Sequence, residues 1–391
     1  MSEGRIPTTL LGMTEARTYT VLGMMSGTSM DGIDIALLRT DGERVELMGP
    51  SATYAYDSGF RDKLRGLLGR TKDRDGAIEA TGRELSLRHV EAIKTFLTDH
   101  CRSPLDIDLI GFHGHTITHK PENKFTWQIG YGELLADALG IETVAGFRTQ
   151  DVIAGGEGAP LVPVYHRALA HKQDKPLAVL NVGGVANVTW IGPDEGDLVA
   201  FDTGPGNALL DDWVLRHTGV AQDTNGDMAR RGSVDAEILS VLLAHPYFDA
   251  SGPKSLDREA FDAAPTAQLS PENGAATLTA FTAESVARSR RHLPKPPKRW
   301  LVCGGGRHNP VLMDALRRAL DVPVEPVEKV GWDGDAIEAQ AFAFMAVRCK
   351  RGLPITYPGT TGCPRPLTGG RFHPPPGPGS VGKSRPGPAA A

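Results

Sequence analysis

Asp202 heads the run Asp202-Thr203-Gly204-Pro205-Gly206-Asn207, with apolar Leu198 to Phe201 before it and a helical stretch from Leu209 to His217 after it. A strand, a glycine loop and a helix start make an anion site, because the first amides of a helix have no internal partner. Phosphoryl transfer needs a carboxylate there, as a base for the attacking oxygen. The plainer role of such an aspartate is to cap its own turn.

The same residue types gather in VLGMMSGTSMDGIDIALLR, from Val21 to Arg39. Apolar ends around Gly27, Thr28, Ser29, Met30, Asp31, Gly32, Ile33 and Asp34 read as a strand, a tight turn and a second strand. Glycine lets the backbone approach a bulky anion, and successive N–H groups and hydroxyls bind phosphate oxygens. Asp31 and Asp34 beside a phosphate suggest Mg²⁺ or its waters. An ordinary hairpin also accommodates Asp-Gly in its turn.

The pattern returns in LAVLNVGGVANVTWIG, whose turn is Gly183-Gly184, and again where Trp300 to Cys303 runs into Gly304, Gly305 and Gly306 before a helix from Asn309. The echo between the two hairpins suggests an internal duplication. Glycine loops in register with a duplicated plan suit a nucleotide held between two domains, although any one of them alone would be a tight turn beside a helix.

Other polar residues are less decided. Arg148 and Asp151 flank a glycine-dense loop, where they could meet a ligand or simply pair with each other, and Asp151 competes with Asp202 as a base. Glu338 lies on a late helix, facing either a cleft or solvent. His113, His115 and His119 invite a zinc reading, since HxH on a strand puts two imidazoles on one face. No carboxylate or histidine cluster with hydrolase spacing follows them, so polar contacts or turn roles fit better.

The elements that must position these groups alternate along the chain. A third strand is expected over Val45 to Tyr56, helical pattern from Phe60 to Asp99, a short strand at Asp108 to Phe112, and a helix from Asp335 to Cys349. At 391 residues the chain can bury two domains' worth of core. Its net charge of −5 argues against nucleic acid as the main partner. Four separated cysteines without a CxxC pair read as reduced thiols of a cytoplasmic protein. No secretory h-region or membrane span is expected.

With these residues in view, the chain resembles the anhydro-N-acetylmuramic acid kinases, a bacterial branch of the sugar kinase, Hsp70 and actin superfamily. The motifs that carry the resemblance, from about Gly23 to Phe372, are GMMSGTSMDGID, HGHTITHKP with FTWQIG, GGEGAPLVP, NVGGVAN, FDTGPGN, GPKS and CGGGRHN. It implies an α/β fold of two duplicated actin-like (ribonuclease H-like) domains flanking a nucleotide cleft. Residues 1–19 would be a flexible leader, 20–160 and 161–350 the two domains, 351–373 a segment returning to the first, and 374–391 a disordered tail.

The implied reaction opens 1,6-anhydro-N-acetylmuramic acid with water and phosphorylates O6, using ATP and Mg²⁺, in peptidoglycan recycling. The base would be Asp202. ATP phosphates would lie along Gly27 to Asp34 and the Asp202–Gly206 loop, with Gly183 and Gly184 nearby and adenine beside Gly304 to Gly306. Arg148, Asp151 and Glu338 would face the sugar, and the protein would be a homodimer. A kinase for another hexose, or an actin-like nucleotide switch, would keep the same phosphate loops. The chain departs from the family pattern at Gly146, usually Asp, and at His115 and Glu157, both usually Gln.

Overall fold

Apolar stretches separated by glycine turns build two antiparallel meanders, and each grows into a sheet by parallel additions. The computed structural model describes residues 17–27, 30–194, 196–256 and 260–377. The first sheet contains β1 (Tyr19–Ser26), β2 (Gly32–Thr40), β3 (Val45–Ala55), β4 (Leu109–Lys120), β5 (Phe125–Ile129) and β6 (Thr143–Ala145). The second contains β7 (Leu177–Val182), β8 (Val185–Ile191), β9 (Leu198–Pro205), β10 (Trp300–Cys303) and β11 (Val324–Pro326). A last strand, β12 (Arg371–His373), pairs antiparallel with β6, so the C-terminal segment ends in the first sheet.

The first sheet runs β12-β6-β4-β1-β2-β3, with β5 paired to β4, and the second runs β11-β10-β7-β8-β9. Without β5 and β12, both have the same order: fifth, fourth, first, second and third strand of the half. Their meanders are antiparallel, while β4 joins β1, and β10 joins β7, in parallel. The duplication suggested by the two hairpins is therefore present in the topology.

The helix Ile337–Lys350 is apolar around almost its whole circumference, as a helix buried on all sides must be. It follows the second sheet in sequence but packs on β1, β2 and β4 of the first. Close approach sets that contact: a Cβ on Gly23 would lie 1.8 Å from Ala339 O, and one on Gly111 would lie 2.1 Å from Phe342 O. In exchange, the helix Pro163–Leu169 packs on β8 and β9. One core, including Val21, Leu109, Val179, Leu301, Phe342 and Phe344, runs through both halves. Each such large side chain contributes on the order of 1.5–3 kcal/mol by leaving water.

Three expected elements differ. The Phe60–Asp99 stretch is two helices, Ser58–Arg65 and Ala77–Asp99, because Gly69 and Gly76 between them sit at φ 76° and 73°. The strand after Asp108 continues to Lys120 and takes in all of HGHTITHK. β9 likewise runs on to Pro205, held by β8, so Asp202 lies within a strand and not at its end.

Among the described residues no helix is long and apolar enough to cross a membrane. The four cysteines are free thiols. The leader expected over 1–19 falls outside the described residues except for 17–19, and the tail expected over 374–391 falls outside them from 378 on.

Candidate active site

Asp202 lies on β9 opposite Asn187 of β8. Its Oδ2 accepts from the Leu256 amide at 2.7 Å, and its own amide donates to Lys254 O at 3.0 Å. The Tyr247 hydroxyl donates to its carbonyl at 2.6 Å. Burial pushes its proton affinity up to about 7, a nearby Glu157 adds to the rise, and the Leu256 amide and Lys254 oppose it. A carboxyl poised near neutral pH suits a general base far better than an ordinary surface aspartate does.

The glycine turns of the second half converge. Asn207 N donates to Gly183 O at 2.8 Å, and Gly206 N donates to Gly184 O at 2.9 Å. Gly206 is required by contact, since a Cβ there would stand 2.2 Å from Gly183 O. Gly304 is at φ 75°, and a Cβ would meet Asn181 Oδ1 at 2.2 Å. Arg307 fixes this loop: its Nη1 donates to Gly304 O at 3.0 Å, and its guanidinium pairs with Asp335 and Glu328. The Gly183-Gly184, Gly204–Gly206 and Gly304–Gly306 turns thus form one backbone-lined cluster, and the helix Ala208–Thr218 starts beside it.

The first hairpin reaches the middle of the molecule through Asp34 of β2. Met30 N closes the turn on Gly27 O at 3.0 Å, and Gly32 and Ile33 are buried at the start of β2, while Asp31 is exposed. Thr28 and Ser29 lie outside the described residues. Asp34 accepts from the Thr53 hydroxyl at 2.6 Å, and burial raises its proton affinity, with Asp31 adding to the rise. Glu338 is raised too, by burial first and then by Asp34, while Arg148 and Asn181 oppose the shift. Asp34, Glu338, Arg148 and Asn181 therefore bring both halves to one polar centre. Arg148 also donates to His113 Nε2 at 3.0 Å and to Gly158 O at 2.7 Å.

Asp151 is placed differently from the others. It is buried, its Oδ1 accepts from Gly158 N at 2.7 Å, and its Oδ2 accepts from the Thr361 hydroxyl at 2.6 Å. Its carboxylate organises the glycine-dense loop. His115 binds Ser26 Oγ at 3.1 Å, and burial lowers its proton affinity to about 4.

A family model described as "Anhydro-N-acetylmuramic acid kinase" matches residues 19–375. A protein of that name from Rhodospirillum rubrum is 57% identical over 354 residues, covering 90% of this chain and 94% of its own. This chain belongs to the anhydro-N-acetylmuramic acid kinase family. Two further members of the family, from Paramagnetospirillum magneticum and Acidiphilium cryptum, are 55% and 50% identical and cover 90% and 94% of this chain, and 99% of their own lengths. A ROK family glucokinase from Streptomyces griseus, solved with glucose and AMPPNP, aligns with 84% of the chain and 99% of its own at TM-score 0.39 and 11% identity.

The span of the anhydro-N-acetylmuramic acid kinase match takes in every described residue of the site. Residue-by-residue reading passed over Asn181, Arg307 and Ser255. Asn181, Ser255 and Arg307 sit inside the motifs NVGGVAN, GPKS and CGGGRHN, so their motifs were visible although their roles were not.

Proposed function

We propose that this chain is the ATP-dependent kinase that opens 1,6-anhydro-N-acetylmuramic acid and phosphorylates its O6, releasing N-acetylmuramic acid 6-phosphate and ADP in cell-wall recycling. The observation that carries the reading is Asp202, a carboxyl of β9 that accepts from the Leu256 amide at 2.7 Å and whose proton affinity burial raises, in a chain of this family. The sugar has no free 6-hydroxyl, so its ring must open as it is phosphorylated. Asp202 takes one proton from a water whose oxygen bonds to C1. The C1–O6 bond breaks, O6 bonds to the γ-phosphorus, and ADP leaves with the electron pair of the broken P–O bond. The second hydrogen of the water stays on the new C1 hydroxyl, and Asp202 then returns its proton to solvent.

The turns Gly27–Asp34, Gly183-Gly184 and Gly204–Gly206 are suited by their backbone amides to the phosphates, and Gly304–Gly306 to the adenosine end. Arg148 and Glu338 would supply a cation and an acceptor to a sugar held between the halves. Among the described residues no three His, Cys, Asp or Glu side chains come together to hold a metal ion, so Mg²⁺ would be held chiefly by the nucleotide's phosphates and by waters. Asp31 and Asp34 would contact its waters, and it would neutralise charge on the β- and γ-phosphates. A homodimer in the cytoplasm, where ATP and reduced thiols occur together, completes the reading.

Turnover in H₂¹⁸O with product analysis by mass tests it. The heavy oxygen is expected on C1 of the sugar phosphate and absent from its phosphate. A product without label at C1 would make this an ordinary hydroxyl kinase.

A further inference from the structure

Two consecutive residues of the segment Gly252 to Leu256 hold two carboxylates at once. The Leu256 amide donates to Asp202 Oδ2 at 2.7 Å, while the neighbouring Ser255 hydroxyl donates to Glu157 Oε2 at 2.8 Å. Asp202 belongs to the second sheet, and Glu157 belongs to the glycine-dense loop that follows the first. The Glu157 amide in turn donates to Thr361 O at 2.6 Å, so its main chain and side chain are both fixed. Consecutive residues lie ~3.8 Å apart at Cα, and the two anions are therefore near neighbours.

We propose that Glu157 is a positioning residue for the reaction: through Ser255 it ties the first half's glycine-dense loop to the segment that holds Asp202, and it sets a second negative charge beside the base. The proposal rests on Asp202 being that base. Two neighbouring carboxylates resist being ionised together, so a charge on Glu157 favours the protonated form of Asp202. The increase that Glu157 imposes on Asp202's proton affinity agrees with this placement.

Among the described residues, the other groups facing Asp202 are few. Lys254, on the same segment, opposes the effect of Glu157, but its ammonium is drawn away to Tyr247 O and Ala250 O at 2.8 and 2.7 Å. Tyr247 binds the Asp202 carbonyl, and its own proton is held more firmly through burial first, then Asp202 and Glu157. β8 offers uncharged Asn187, and the helix Pro271–Ser289 behind β9 offers the hydroxyls of Thr282 and Ser285. The helix Pro163–Leu169 sends His166 to Thr189, where burial keeps it neutral. The only anion other than Asp202 itself in this described set is Glu157.

The test is the pH profile of kcat/KM for the anhydro sugar, measured with the full chain as parent, Glu157→Gln, Ser255→Ala and Asp202→Asn. Glu157→Gln keeps an acceptor for Ser255 and removes the charge, so the acid limb should move down by about half to one pH unit. Ser255→Ala keeps the charge and cuts the tie, so the limb should stay while kcat/KM falls about fivefold at every pH. An unshifted limb in Glu157→Gln, with the limb abolished in Asp202→Asn, overturns the role of Glu157 alone. A parent-like limb in Asp202→Asn overturns the base assignment and the proposal with it.

Discussion

The Thr361 hydroxyl donates to the Asp151 carboxylate at 2.6 Å, joining the C-terminal segment to the glycine-dense loop. The other oxygen of Asp151 accepts from Gly158 N, and the side chain is 1% exposed. In Asp151→Asn one of these donors would face an NH₂ group, leaving a buried polar group unsatisfied at a cost of ~1–3 kcal/mol. Urea unfolding of the variant should show that loss, and Thr361→Val combined with it should cost less than the sum of the two changes. Full additivity would mean the two side chains do not act on each other.

Asp202→Asn should fold and bind ATP as the parent does, since Asn can still accept from the Leu256 amide. Its turnover should drop by about 10²–10⁴-fold, the usual effect of losing a general base. Steady-state turnover beside isothermal titration with ATP separates the two effects. Equal loss in both would make Asp202 a structural group.

The pH dependence follows from the same carboxyl. Its proton leaves at about 7, so only the ionised fraction above that pH can accept a proton from water. Turnover should rise about tenfold per pH unit below 7 and flatten above it. A rate constant across pH 5–7 in the parent would contradict the assignment.

Gly206→Ala should separate loops that now touch. The added Cβ would meet Gly183 O at 2.2 Å, which forces the Gly183-Gly184 turn away from the start of the helix Ala208–Thr218. A loss of ~1–3 kcal/mol in stability and a marked weakening of ATP binding are expected. Differential scanning fluorimetry with and without ATP reads both, and an unchanged ATP-induced shift would remove this turn from the nucleotide site.

Buried histidines predict acid sensitivity. Burial lowers His89 and His115 to about 4 and His166 to about 3, whereas the unfolded chain protonates them near 6.5. Their neutral burial is fully compatible with the fold above 6.5, and stability is lost as pH falls from there toward 4. By pH 5 the loss should be on the order of 1–2 kcal/mol for each. Denaturation midpoints at pH 7.5 and pH 5 check this, and His115→Gln should show a smaller drop than the parent.

The hairpins, their glycine turns and the repeated strand plan were legible because turn chemistry and alternation are local properties. Asp202 stood out as a candidate for the same reason, but its place inside β9 did not, because the strand pairing with β8 that carries β9 on to Pro205 is not a local property. The break at Gly69 and Gly76 was missed because helical periodicity resumes after it. The partner of the helix Ile337–Lys350 could not be read, since a helix apolar on almost every side records that it is buried but not against what. Asp151 could not be decided between a ligand role and a structural one, because the donors to its carboxylate, Gly158 N and the Thr361 hydroxyl, come from a backbone turn and a segment more than 200 residues away.

The exchange of helices between the halves also orders biosynthesis. The inner face of the first sheet is assembled by Ala145, but the helix that covers it ends only at Lys350. At ~5–20 residues per second a ribosome needs roughly 10–40 s to supply that interval. Throughout it, Gly23 and Gly111 face outward with no helix seated on them, and the nascent chain presents an apolar surface to the crowded cell. The first half therefore cannot be finished as a separate folding unit during translation, and an N-terminal fragment ending near residue 160 would be a client for chaperones and not a small stable domain.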